Sequence, residues 1–309
     1  MSGAEQSAPP AWFSQALSLA PERLTIRRDG HDVMAYRWGD QAGRPLILLH
    51  GFGANAHWWD HIGPLLLADG LQVVAVDLAG HGESDYSGEY SLTRWAADVA
   101  EVGRQLSAQK PLLIGHSAGG RIAWKVAELY GQDLLAVVSV DGPVPPPAPQ
   151  PETSYPRPRF RLGHRIYPSR AEILQRFQLR PHQPALPYVL RHIAEHSIRP
   201  VTDGWTWAHD ARIYHRPRTD EIVAGPLDCP LFLLLAENGR TTAAAASVIR
   251  AEIPRVSVST IPAAAHHVML DQPLALVSVL RLIADLTTSV LPSPPSRGTT
   301  PEALSTTLG

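Results

Sequence analysis

The sequence predicts an α/β fold: a mostly parallel central sheet with helices on both faces and a helical cap insertion. Three observations predict it. Short, continuous apolar runs recur along the chain, each the length of a strand buried on both faces. Helical patterns alternate with those runs, the order that builds a parallel sheet. One long stretch, residues 143–225, interrupts the alternation and has no such run.

The elements follow in chain order. Residues 1–22 are small, polar and proline-containing, and are expected to be a loose arm. Leu24–Arg28 and Val33–Trp38 alternate around Asp29-Gly30, the signature of a β-hairpin. Buried-strand runs then fall at residues 45–50, 71–77, 111–116, 134–141, 230–236 and 256–261. Helical patterns fall at 58–69, 91–107, 118–131, 241–252 and 272–288. Right-handed crossovers place the C-terminal ends of the parallel strands along one edge, where open α/β sheets bind ligands. The turns at His50-Gly51-Phe52, Ser117 and Asp141 all fall on that edge. The core is therefore 23–142 with 226–291, and the insertion at 143–225, with helices near 169–180 and 186–197, is expected to lie over the edge as a lid. Residues 292–309, rich in Pro, Ser and Thr, read as a disordered tail.

Composition narrows the function. A chain of 309 residues, 44% of them hydrophobic, can bury a large core. A net charge of −2 gives no reason to expect nucleic acid or an anionic membrane as partner. Only Lys110 and Lys125 are lysines among the basic residues, which reads as compositional bias. Cys229 is the single cysteine, so an internal disulfide and a cysteine-based metal site are both excluded. Its neighbours Leu227, Leu231 and Phe232 suggest a buried thiol. No apolar stretch approaches the roughly 20 residues of a spanning helix, and no signal peptide is visible, so a soluble cytoplasmic protein is expected. Nothing in the sequence sets an oligomeric state.

The chemistry centres on Gly115-His116-Ser117-Ala118-Gly119. A serine hydroxyl is a weak nucleophile until a base takes its proton. Here an apolar strand must turn sharply into a helix, with Ser117 at the strained apex and two glycines relieving the crowding. The following helix N-terminus points amides at any developing negative charge. The five-residue pattern alone is common; the strand before it and the helix after it make it specific. The base is expected from the late loop Ala265-His266-His267, where both histidines are candidates.

With Ser117 and that loop in place, the chain resembles the α/β-hydrolase superfamily over residues 23–290. The matching segments are His50-Gly51-Phe52-Gly53, Asp77-Leu78-Ala79-Gly80-His81-Gly82-Glu83-Ser84, the Ser117 turn, and the late histidines followed by Asp271-Gln272-Pro273. The resemblance implies Ser117 as nucleophile and His266, five positions before Asp271, as base. It implies an oxyanion hole made by the backbone amides of Phe52 and Ala118. His50, Asp77 and Ser84 match structural positions. A serine nucleophile argues against the dehalogenases and epoxide hydrolases of this fold, which use an aspartate.

One departure stands out. Most members carry an aspartate in a Gly-x-x-Asp pattern after the penultimate strand; here the run is Ala236-Glu237-Asn238-Gly239. A third group is needed to orient the imidazole and stabilise its charged form. Asp141, at the end of the fourth buried strand, is the first candidate, Glu237 the alternative, and a dyad without an acid the third reading.

Candidate pocket residues are Trp58, Trp59, His116, Trp205, Trp207 and His267. His57 and His61 sit four apart, a spacing metal ligands use, but no third ligand adjoins them, so no metal site and no cofactor are expected. The arginines near 157–165 read as a solvated face. The expected function is a serine hydrolase cleaving a small apolar or aromatic ester through an acyl-enzyme. A carbon–carbon bond hydrolase, lactonase or perhydrolase would use the same residues, and a ligand-binding member without turnover is the third class.

Overall fold

The computed structural model describes residues 8–68, 70–145, 165–215, 222, 224–253 and 256–289. Eight strands form one sheet: β1 (Glu22–Arg28), β2 (His31–Gly39), β3 (Arg44–Leu49), β4 (Leu71–Val76), β5 (Leu112–His116), β6 (Ala136–Val140), β9 (Leu231–Asn238) and β10 (Val256–Ala265). A separate pair, β7 (Ile198–Val201) and β8 (Gly204–Trp207), lies in the insertion. The sheet order is β1-β2-β4-β3-β5-β6-β9-β10. The β1–β2 and β2–β4 pairs are antiparallel and every other pair is parallel. Asp29 and Gly30 turn the β1–β2 hairpin with φ of 49° and 83°, the two left-handed residues a tight hairpin loop requires.

The apolar runs are continuous because both faces of the sheet are covered. Side chains alternate along β3: Leu46 and Leu48 enter one core, Ile47 and Leu49 the other. The same division splits Leu112 and Ile114 from Leu113 on β5. Helices α2 (Leu92–Leu106), α3 (Ala118–Tyr130) and α6 (Ala243–Glu252) cover the Ile47 face, burying Trp95, Trp124 and Ile249. Ser91 and Thr242 cap α2 and α6 by accepting the amides of Arg94 and Ala245. The opposite face carries α1 (Ala11–Ser18) and α8 (Pro273–Ser289), the latter preceded by the short α7 (Val268–Asp271).

Three expectations change. Residues 11–18 of the supposed arm form α1, which buries Phe13 and Ala16; Phe13 packs edge-on against Tyr188 with ring centroids 4.8 Å apart. Trp12, Phe13, Ala16 and Leu17 recur at helical spacing and form the face that packs on the core. The helix expected over 58–69 is instead two 3-10 turns, Ala56–Trp59 and Gly63–Leu66, because Pro64 has no amide to continue a helical ladder. In the insertion, α5 (Pro187–His196) matches its expected position, while α4 stops at Leu174 (Arg170–Leu174) and the β7–β8 hairpin is new. The arginine-rich stretch 157–164 and the tail 292–309 lie outside the described residues.

The described insertion residues meet the C-terminal edge of the sheet at three places. Ala208 O accepts the Gly82 amide, and Asp210 N donates to Gly80 O, after β4. Asn55 Nδ2 donates to His196 O after β3. Leu186 N donates to Leu270 O beside the late histidines. No described helix is long and apolar enough to cross a membrane.

Replacing Phe13 by Ala tests whether α1 belongs to the fold. A buried aromatic lost from a core costs about 3 kcal/mol, so urea unfolding of the variant is expected to show that loss. A truly loose arm would show none.

Candidate active site

Strand β5 runs straight into α3 through Ser117, whose φ of 54° and ψ of −118° lie outside the comfortable regions for a residue with a side chain. The surrounding chain enforces the turn. A Cβ on Gly115 would stand 2.2 Å from Gly119 O, so strand and helix approach closer than any side chain permits. Ser117 N donates to Val140 O and its own carbonyl accepts the Arg121 amide, fixing the apex from both sides. Ala118 opens α3, so its amide is one of the helix's free donors.

The loop after β3 faces this apex. A Cβ on Gly51 would lie 3.3 Å from Ser117 Cβ. Residues far from the chemistry hold that loop. His50 bridges it: Nδ1 donates to Gly51 O, and Nε2 accepts the Leu78 amide. Asp77 accepts the amides of Ala56 and Glu83 on its two oxygens. Burial pushes Asp77 up to about 6 despite those donors. Ser84 Oγ donates to Asp77 O and accepts the Met34 amide. Phe52 packs its ring 5.4 Å from Trp95 and 6.2 Å from Tyr214.

Three side chains from distant parts of the sequence form one hydrogen-bonded chain. His266 Nε2 lies 3.0 Å from Ser117 Oγ, and His266 Nδ1 lies 2.6 Å from Asp141 Oδ2. The ring is buried between them. Asp141 follows β6 with φ of 42° and is itself buried. Its carboxylate also accepts the amides of Arg240 at 2.8 Å, Thr241 at 3.3 Å and Ala236 at 3.4 Å. Burial raises its pKa, but the hydrogen bonds from His266 and the Arg240 and Thr241 amides prevail and hold it below the usual carboxylate range.

The acid beside the histidine is thus Asp141, and Glu237 is elsewhere. Glu237 is exposed, and its Oε2 accepts the Ala263 amide at 2.7 Å. The glycine that departs from the family pattern now has a physical reason. A Cβ on Gly239 would sit 2.4 Å from Asp141 Oδ1, so the space a side chain would claim there is filled by the Asp141 carboxylate.

The proposed pocket residues scatter. His116 Nε2 lies 2.9 Å from His266 O and supports the loop. His267 is buried, and burial followed by the neighbouring His266 lowers its pKa to about 3, so it is neutral. Trp58 packs edge-on against His267 with centroids 5.3 Å apart. Trp59 is fully buried in the core and packs the sheet. Trp205 and Trp207 stay within the insertion, Trp205 bridging Tyr167 and Trp207 lying against Tyr167 and Phe177. Gln183 was not foreseen. Its Oε1 accepts the His267 amide at 2.7 Å and its Nε2 donates to His267 O at 3.3 Å, so the insertion grips the histidine loop by its backbone. A lone glutamine in a proline-rich stretch carries no signal for that role.

An open α/β sheet with a serine at the strand–helix apex, a buried imidazole and a buried carboxylate defines the class, and comparison with known proteins agrees. Residues 46–279 match the model of the alpha/beta hydrolase family, and the chain belongs to that family. It is 31% identical over 273 residues to Esterase Rv0045c of Mycobacterium tuberculosis, covering 82% of this chain and 86% of that one. A crystal structure of Esterase Rv0045c superimposes with a TM-score of 0.64 at 25% identity, over 92% of this chain and 99% of that chain. The thioesterase domain from the curacin biosynthetic pathway shares the fold, with a TM-score of 0.68 at 24% identity over 85% of this chain and 99% of that chain.

Two outcomes test the geometry. Gly239→Ala drives a methyl group into Asp141, and overpacking of that kind costs roughly 1–3 kcal/mol; a lowered urea midpoint is expected. The second concerns pH. Asp141 titrates lower folded than unfolded, so its stabilisation is complete above the ordinary carboxylate pKa of about 4 and drains away as pH falls through the lower folded value. The stability gap between wild type and Asp141→Asn is therefore expected to be constant near neutrality and to close in acid. A gap that widens on acidification contradicts the assignment.

Proposed function

We propose that this protein is a serine hydrolase that cleaves a carboxylic ester through an acyl-enzyme on Ser117. The observation that carries the reading is the continuous chain from Ser117 Oγ to His266 to Asp141, with the serine held at a helix N-terminus. The likeness to Esterase Rv0045c over most of both chains supports the choice of an ester.

In this reading Ser117 Oγ attacks the ester carbonyl while His266 Nε2 takes its proton. Asp141 holds the ring so that Nδ1 keeps its hydrogen and Nε2 presents a lone pair, then stabilises the imidazolium. The carbonyl oxygen becomes an oxyanion, received by the amides of Ala118 and Phe52. His266 returns the proton to the departing alkoxide, which leaves as the alcohol. Water, deprotonated by the same nitrogen, attacks the acyl-enzyme and releases the acid. The partner is a small molecule, and the insertion acts as a lid whose grip on His267 through Gln183 couples its position to that of the base.

A fluorophosphonate probe and short p-nitrophenyl esters test this. Wild type is expected to be labelled at Ser117 and to cleave the esters. Ser117→Ala should lose labelling and lower kcat by about 10⁴-fold or more. Asp141→Asn should lower kcat by as much as roughly 10⁴-fold, and Glu237→Gln should leave it within about twofold, because Glu237 touches neither the serine nor the histidine. An unlabelled wild-type protein that turns over none of the esters sinks the proposal.

A further inference from the structure

The structure separates two histidines that the sequence places one helical turn apart. His61 turns inward, fully buried, with Nε2 2.8 Å from Met269 O. His57 turns toward the insertion, where it meets Asp60, three residues on, and the α5 histidines, which no sequence spacing connects to it. Asp60 Oδ2 lies 3.0 Å from His57 Nδ1 and 2.9 Å from His192 Nε2. His192 and His196 share a face of α5, four residues apart, with centroids 4.3 Å apart, and the His57 ring lies 4.4 Å from that of His196.

We propose that His57, Asp60 and His196 bind a divalent transition metal ion of the zinc class, with His192 orienting Asp60. One donor atom from each of the three lies within 4.8 Å of the other two. Small side-chain rotations bring such donors to the separation of about 3.4 Å that a tetrahedral ion with bonds near 2.1 Å demands. His196 Nδ1 lies 2.8 Å from His192 O and donates there, which leaves Nε2 with its lone pair for a metal. Asp60 Oδ1 is buried without a hydrogen-bond partner, a deficit that a cation removes. The three residues are only partly buried, so an ion has an entry path. Two imidazoles and one carboxylate suit zinc, nickel or cobalt, and suit magnesium or calcium poorly.

The ion would join the turn after β3 to α5, across the contact that Asn55 Nδ2 already makes with His196 O at 2.6 Å. It would act as a clamp between the core and the insertion rather than as part of the chemistry. Hydrogen bonds from His192 to a ligating carboxylate are the kind of support whose loss costs metal sites tenfold or more.

Calorimetric titration of the metal-stripped 309-residue chain with zinc chloride tests the site. Saturable binding at one site is expected, with a melting temperature raised by the ion. His57→Asn and His196→Asn are expected to weaken affinity at least 100-fold, and His192→Gln about tenfold, while metal-free urea midpoints show that each variant folds. His267→Gln is the control, because His116, His266 and His267 also bring three nitrogens within 4.8 Å of one another; it should leave the affinity unchanged. If zinc binds no tighter than magnesium, the proposal fails. It also fails if His267→Gln removes the binding while His57→Asn and His196→Asn retain it.

Discussion

The Asp141 carboxylate is the interaction on which the rest of the site hangs. It follows β6, receives one amide from β9 and two from the β9–α6 connection, and holds the His266 ring from the β10–α7 loop. Three strand ends are thereby gathered on one buried charge. A buried carboxylate without such donors would be neutral. With them it stays charged, and the hydrogen bond it accepts at His266 Nδ1 fixes that ring in one tautomer. Gly239 completes the arrangement by leaving the carboxylate its space.

Around that charge the molecule is built in tiers. The serine turn is strained, and a strained turn persists only when its neighbours over-determine it. Here they do: the close approach of Gly115 to Gly119, the amide bond to Val140 and the loop of Gly51 leave Ser117 no other position. Behind the loop, His50, Asp77 and Ser84 exchange backbone hydrogen bonds between β2, β3 and β4. The insertion adds the outermost tier, gripping His267 through Gln183 and the core turn through Asn55. The sheet edge thus presents Ser117, His266 and Asp141, and the less regular insertion contacts the same edge.

The sequence by itself determined the strands of the sheet and the serine turn. The physical reason is locality. A strand buried on both faces must be a continuous apolar run, and a strand-to-helix turn must be glycine-rich, so both are written in adjacent residues. The helix α1 escaped because its apolar face, Trp12, Phe13, Ala16 and Leu17, spans only two turns, and the 3-10 turns at Ala56–Trp59 and Gly63–Leu66 escaped because Pro64 overrode the local pattern.

What only the tertiary structure decided was which acid meets His266, and which residues meet across the insertion. Asp141 and Glu237 are both carboxylates near strand ends, and chain order cannot rank two groups whose difference is direction. Register and the φ of 42° at Asp141 turn one carboxylate inward, while Glu237 folds back onto the Ala263 amide. His57 and His61 show the same lesson. Four residues apart in sequence, they take different partners: His61 meets the Met269 carbonyl, while His57 meets Asp60 and the ring of His196 on α5, far along the chain.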